Sequence, residues 1–174
     1  MSTITTKYPG ITAKLNDSRN DLPLQTRHEM VGLINQRLAE VIDLSLQSKQ
    51  AHWNVKGPHF IGLHELFDRV AGKIGEFSDE IAERAVALGG IACGTIQAIA
   101  GNSDIPAYPL EPGTGRDHVN NMAEALALVG ERIREAIETA TDAGDADTAD
   151  LFTAVSRGID KLLWMVEAHN QADD

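Results

Sequence analysis

What most constrains this chain is the length of its helical apolar stripes and how rarely anything interrupts them. From Leu24 to about Asn54, apolar side chains recur as Met30, Ile34, Leu38, Val41 and Ile42 before Gly57-Pro58 stops the run. The second stripe, from Phe60 to Leu88, reads Leu63, Phe67, Val70, Ile74, Phe77, Ile81 and Leu88, and Gly89-Gly90 ends it. A third carries Val119, Met122, Leu126, Val129, Ile133 and Ile137 and breaks at Gly144. The fourth runs from about Asp147 to Asn170 on Phe152, Val155, Ile159, Leu162 and Val166. Recurrence every three or four residues places each set on one side of an α-helix. Glycine or proline just past the last apolar position is a helix stop. Between the second and third helices lies a long connection, residues 91–113, with Pro106, Pro109 and Pro112 and space for a short helix around Thr95–Ala100.

Two short joins flanking one long connection predict an all-α four-helix bundle with a crossover, carrying a short helix, between helices 2 and 3. That topology is ferritin-like. Residues 23–170 form the predicted bundle domain, 1–22 a flexible N-terminal tail and 171–174 a short acidic C-terminal tail. A chain of 174 residues is long enough to bury a core of this kind. No apolar run approaches the roughly 20 residues that span a bilayer. The start, MSTITTKYPG, lacks the apolar stretch of a secretory signal. No membrane association and a cytoplasmic location are therefore expected. Cys93 is the single cysteine, so no internal disulfide can form, and it is expected as a small core residue. The balance of 15 basic against 26 acidic residues, net −11, opposes a broad grip on phosphates and suits a soluble oligomer or a collector of cations.

The second helix carries another pattern beside its core stripe: His64, Asp68, Gly72, Gly75, Asp79 and Glu83, at spacings of 4, 4, 3, 4 and 4. All six fall within about a 100° arc of one face. Each mid-helix glycine costs about 1 kcal/mol relative to alanine, which close approach of another helix would explain. His64 and Asp68 sit one turn apart, as do Asp79 and Glu83, yet the two pairs are separated by about 16 Å along the axis. One ion cannot touch both pairs on one helix. The spacing is symmetric about a point between Lys73 and Ile74. A second copy packed antiparallel across Gly72 and Gly75 would bring His64 and Asp68 of one chain to Asp79 and Glu83 of the other, giving two equivalent mixed-chain sites. His52, near the end of the first helix, is a further candidate ligand. Imidazole joined with carboxylates suits Fe(II), Mn(II) or Zn(II), and open positions let iron meet an oxidant.

The run Lys49-Gln-Ala-His-Trp-Asn-Val-Lys-Gly-Pro58, followed by Phe60, His64-Glu-Leu-Phe-Asp68, Asp79 and Ala-Glu-Arg-Ala85, closely resembles the Dps family, the DNA-binding proteins from starved cells. The likeness continues through Leu88-Gly-Gly90, Tyr108-Pro109 and Thr148–Arg157 to Asp160-Lys161 and Leu163-Trp164, and it covers residues 24–170. The resemblance implies a homododecameric tetrahedral shell that oxidises ferrous iron at its two-fold interfaces, preferentially with hydrogen peroxide, and keeps the ferric mineral inside. It assigns His52, His64 and Asp68 of one subunit, with Asp79 and Glu83 of the next, to the ferroxidase centre, and places Trp53 beside it.

Asp142, Asp145, Asp147 and Asp150 gather between the last two long helices. Some should cap the final helix. The resemblance adds an acidic three-fold pore, for which Asp142, Asp147 and Asp150 are the candidates. Lys7, Lys14 and Arg19 against Asp17 and Asp21 give residues 1–22 a net charge of only +1. Weak, nonspecific DNA contact through the tails is expected rather than tight binding. The competing reading is a DNA-packing structural shell with little ferroxidase activity. A di-iron centre inside one bundle needs paired Glu-x-x-His motifs, which are missing. His28, His59, His118 and His169 show no clear partner in the sequence.

Overall fold

A computed structural model describes residues 15–171. Residues 1–14 of the expected tail and 172–174 of the acidic end lie outside the described residues. The elements are α1 (Leu24–Asn54), α2 (Phe60–Ala87), α3 (Ile96–Asn102), α4 (Gly115–Asp142) and α5 (Ala146–Glu167), closed by a 3-10 turn at Ala168–Asn170. Among the described residues there is no strand.

The helix ends follow from local chemistry. At α4, Thr114 and Asp117 form a reciprocal capping box, the Thr114 hydroxyl accepting from the Asp117 amide at 3.2 Å and the Asp117 carboxylate accepting from the Thr114 amide at 2.7 Å. At α2 the chain leaves through Gly89 at φ +90°, with the Gly90 amide donating back to the Ala85 carbonyl at 2.9 Å. The α4–α5 corner repeats this closure, with Gly144 at φ +78° and the Asp145 amide on the Ala140 carbonyl. These exits reverse the chain sharply without an uncapped carbonyl row.

The hairpin α1–α2 packs against the hairpin α4–α5, with α1 beside α4 and α2 beside α5. The start of α4 lies beside the start of α2, where a Cβ on Gly115 would meet Leu63 and the Lys56 carbonyl, so α2 and α4 run parallel. The crossover must therefore travel the length of the bundle, and its helix α3 lies against α1. The stripes read from the sequence meet inside: Ile34, Phe67, Ile74, Ile81, Met122, Leu126, Ile133, Phe152 and Ile159 are fully buried. Each such side chain contributes about 1.5–3 kcal/mol of transfer free energy. Helix α5 passes α2 closely enough that a Cβ on Gly158 would run into the Phe77 ring.

Buried polar groups tie the layers together. Glu40, wholly buried on α1, accepts from Arg37 at 3.0 Å and from Arg132 of α4 at 2.6 Å. Two sequence expectations change. The stretch 15–22, assigned to the flexible tail, lies on the bundle: Leu15 and Leu22 pack against the core, and the Asn16 amide donates to the Gly89 carbonyl at 2.7 Å. Cys93, expected in the core, is only half-buried on the crossover, because its amide, held by the Asn35 side chain at 2.8 Å, keeps the segment at the surface of α1. Among the described residues, no helix is long and apolar enough to cross a membrane.

Candidate metal centre

The tight α1–α2 turn sets His52, near the end of α1, against His64, in the second turn of α2. Their rings stack at 3.8 Å between centroids, 24° from parallel. Each imidazole bonds the other residue's backbone: Nδ1 of His52 lies 2.7 Å from the His64 carbonyl oxygen, and Nδ1 of His64 lies 2.8 Å from the His52 carbonyl oxygen. A carbonyl oxygen can only accept, so both Nδ1 atoms carry their protons. Each Nε2 then keeps a lone pair on an imidazole whose orientation is fixed by its own backbone bond. A carbonyl behind the ring is the arrangement that orients a metal-binding histidine.

One turn along α2, the exposed Asp68 carboxylate accepts from Lys49 Nζ at 2.6 Å. This hydrogen bond, and secondarily the ammonium charge, holds the Asp68 carboxyl below its usual pKa. Lys49 also stands 5.9 Å from the centre of the Trp53 ring, and Trp53 is 65% exposed. Lys49 belongs to the run that carried the family resemblance, but its role as the cation on Asp68 depends on α1 and α2 lying side by side.

Farther along the same face, Gly72, Gly75, Asp79 and Glu83 are all exposed. A Cβ built on either glycine would meet nothing within 4 Å. The stripe thus points away from the chain's own core, which α2 supplies with Phe67, Val70, Ile74, Phe77 and Ile81. The fold brings His52, His64 and Asp68 to one end of this face and leaves Asp79 and Glu83 toward the other. Among the described residues, no group of three or more His, Cys, Asp or Glu side chains is gathered closely enough to hold a metal ion.

The acidic corner divides by role. Asp145 is buried as the N-cap of α5, accepting from the Thr148 amide at 3.0 Å and the Thr148 hydroxyl at 2.6 Å. Arg84 of α2 donates to it at 2.6 Å and reaches 3.7 Å from Asp147. The corner is therefore not purely acidic: its cation arrives from α2, 61 residues away in sequence. Asp142, Asp147 and Asp150 remain exposed. Of the histidines read without partners, His118 is buried and its Nδ1 lies 2.6 Å from the Tyr108 hydroxyl. His169 Nδ1 sits 3.1 Å from the Met165 carbonyl oxygen. His28 and His59 also make interactions in the fold. Spacing along one helix could not reveal these pairs, which join different elements or a side chain to backbone.

Comparison with known proteins agrees with the architecture. The ferritin-like domain family matches residues 31–173. A DNA protection during starvation protein of Agrobacterium fabrum is 46% identical over 158 residues, covering 91% of this chain and 98% of that one. The solved tetragonal form of Dps from Mycobacterium smegmatis superposes with a TM-score of 0.86 at 31% identity, covering 91% of this chain and 96% of the other. DpsC from Streptomyces coelicolor superposes with a TM-score of 0.88 at 28% identity over 92% and 94% of the two chains. A bundle with this crossover, the helical stripes that build it and this degree of identity place the chain in the Dps family of ferritin-like proteins.

Proposed function

We propose that this chain assembles into a hollow homododecamer that oxidises Fe(II) at its two-fold interfaces and stores the ferric product inside. In each centre His52, His64 and Asp68 come from one subunit, and Asp79 and Glu83 from its partner. The observation that carries the reading is the stacked His52–His64 pair, whose Nδ1 protons are committed to backbone while both Nε2 lone pairs stay available. The open glycine-floored face of α2 supports the antiparallel partner that would complete the ligand set.

Two ferrous ions each give one electron to hydrogen peroxide, which takes up two protons and leaves as two waters. Dioxygen is the slower alternative oxidant. The protein's part is to hold iron beside an oxidant and to supply negative charge as ferric ion forms. His52 and His64 contribute neutral donors, and Asp68, Asp79 and Glu83 the compensating charge. Lys49 occupies Asp68 until a ferrous ion displaces it. Asp142, Asp147 and Asp150, exposed where α4 turns into α5, are proposed to line an acidic three-fold entry that concentrates Fe(II). DNA protection, the activity in the name of the Agrobacterium fabrum relative, follows from consuming iron and peroxide together. A net charge of −11 per subunit limits direct DNA contact to a weak, nonspecific role for the N-terminal tails.

The test is anaerobic loading of the purified oligomer with Fe(II), addition of stoichiometric peroxide, and measurement of ferric absorbance. The double substitution His52→Ala/Asp68→Ala should abolish rapid oxidation while leaving the oligomer intact. Equal background rates in the two proteins would reject the centre and leave a structural shell.

A further inference from the structure

At the end of the bundle where α1 turns into α2, a cavity of about 610 Å³ opens between three separate parts of the chain: that turn, the first turn of α4 and the closing 3-10 turn. Leu63 and Val119, both buried, give it an apolar wall. Its polar lining includes Lys56, His59, Arg116 and His169, and no Asp or Glu is among the described residues that border it. In a chain with 26 acidic residues among 174, that exclusion needs a cause, and one is visible at α4. Asp117, next to Arg116, is turned back onto the helix cap, accepting from the Thr114 amide at 2.7 Å and from the Thr114 hydroxyl at 2.9 Å. Among the described residues, neither Lys56 nor Arg116 is in an ion pair with a carboxylate. Gly115 brings the two cations to one place, because a Cβ there would lie 3.1 Å from Leu63 and 3.4 Å from the Lys56 carbonyl oxygen. On the third side, Asn170 donates to Asn120 of α4 at 2.7 Å and fastens the closing turn. His169 Nδ1 sits 3.1 Å from the Met165 carbonyl oxygen and so carries its proton; in the neutral ring, Nε2 is an acceptor.

We propose that this cavity binds a phosphate group that still carries a proton, either the free ion or the end of a phosphate monoester. Lys56 and Arg116 supply the charge, the ammonium as a point donor and the guanidinium as a planar fork that matches two phosphate oxygens. The Gly115 and Arg116 amides, which open α4 and have no intrahelical acceptor, add two neutral donors beside them. Cations alone would take any anion, and His169 sets the choice. Hydrogen phosphate has an O–H to donate to Nε2. Sulfate at neutral pH has none, and neither has the phosphodiester of a nucleic acid backbone, so both leave that acceptor unsatisfied. The site uses none of the residues assigned to the ferroxidase centre and requires no iron. It therefore stands or falls separately from the function proposed above.

The assay is isothermal titration calorimetry of the assembled, iron-free protein with inorganic phosphate at neutral pH. Saturable binding is expected at one phosphate per subunit, with sulfate weaker by about tenfold or more. Lys56→Met/Arg116→Met should weaken phosphate binding by about tenfold or more. His169→Phe should abolish the preference for phosphate while leaving the sulfate affinity unchanged, a pattern that loss of charge or of packing would not give. Lys56, Arg116 and His169 are exposed, and circular dichroism with sedimentation velocity checks that the variants stay helical and assembled. Asp173→Asn/Asp174→Asn, which removes the acids that follow the closing turn in sequence, should bind phosphate at least as tightly as the wild type. Ribose 5-phosphate, titrated in parallel, separates the two sources: tighter binding than phosphate names a monoester as the ligand, and equal or weaker binding names the free ion. No saturable uptake by the wild type, or unchanged affinity in the Lys56→Met/Arg116→Met protein, overturns the site. Sulfate, or dimethyl phosphate as a mimic of the nucleic acid backbone, binding as tightly as phosphate overturns it as well, because the cavity would then read charge and not the proton.

Discussion

The glycines of α2 offer the sharpest test of where the centre is assembled, because the isolated subunit and the proposed two-fold respond to them with opposite signs. Gly72 and Gly75 lie in the interior of a 28-residue helix, with nothing within 4 Å of either missing Cβ. Within one chain, replacing both by alanine should stabilise α2 by about 1 kcal/mol at each position, since glycine's backbone entropy is the main term. Across an antiparallel two-fold, the same change introduces four methyl groups where the two helices approach most closely. Overpacking costs about 1–3 kcal/mol per site, so the interface should lose roughly 4–12 kcal/mol. That exceeds the gain of about 4 kcal/mol from the two subunits over much of the range, and leucine in place of alanine removes the overlap. The assay pairs sedimentation velocity with far-ultraviolet circular dichroism on Gly72→Leu/Gly75→Leu. Full helicity, failure to assemble and loss of rapid iron oxidation are expected together. A helical double variant that sediments like the wild type and oxidises iron at its rate would refute the reasoning, because the stripe would then face solvent in the working protein.

Three further outcomes follow from other contacts. Arg84→Ala removes the cation from buried Asp145, which keeps its Thr148 bonds, so a loss of about 3 kcal/mol is expected in denaturant unfolding; a double-mutant cycle with Asp145→Ala should show strong coupling, and simple additivity would contradict the link. Gly158→Ala drives a methyl into the Phe77 ring and should cost about 1–3 kcal/mol, readable as a lower melting temperature; an unchanged value would mean that α5 and α2 are less tightly docked than described. Lys49→Met should tighten ferrous binding at neutral pH by removing the competitor for Asp68, while the acid limb of binding moves to higher pH. Lys49 depresses the Asp68 pKa, so the carboxylate stays ionised until pH falls through that lowered value; without Lys49 it protonates sooner. Anaerobic titrations across pH check this, and an unmoved acid limb would exclude Lys49 as the cause.

The architecture was legible because its signals are local and repeated. Gly57, Gly89 and Gly144 stop the helices where apolar periodicity gives out, and all three adopt positive φ. Arithmetic along α2 also identified a face that does not serve the chain's own core, and Gly72 and Gly75 do lie open on it. What escaped were several relations carried between elements. The acids around Asp145 read as uncompensated because their cation, Arg84, is on another helix. His118 read as partnerless because Tyr108 reaches it from the crossover. The stretch 15–22 read as tail because nothing in its composition shows that Asn16 bonds the carbonyl of Gly89.

These omissions have one physical source, and it bears on how the proposed centre is built. A helical period reports which side of a helix a residue occupies, but a histidine's competence as a ligand depends on what stands behind its ring. For His52 and His64 that support is the other residue's backbone carbonyl, so each ring is oriented by the helix that carries its neighbour. Neither histidine can be turned without disturbing the α1–α2 hairpin, and the pair is therefore preorganised in a single chain. The carboxylates Asp79 and Glu83 lie exposed toward the other end of the face, and in the proposed assembly a second subunit would bring them to the histidines. Rigid neutral donors in the monomer combined with acids supplied by assembly would delay strong iron binding until the shell has closed. The ferric product would then form only where a cavity exists to hold it.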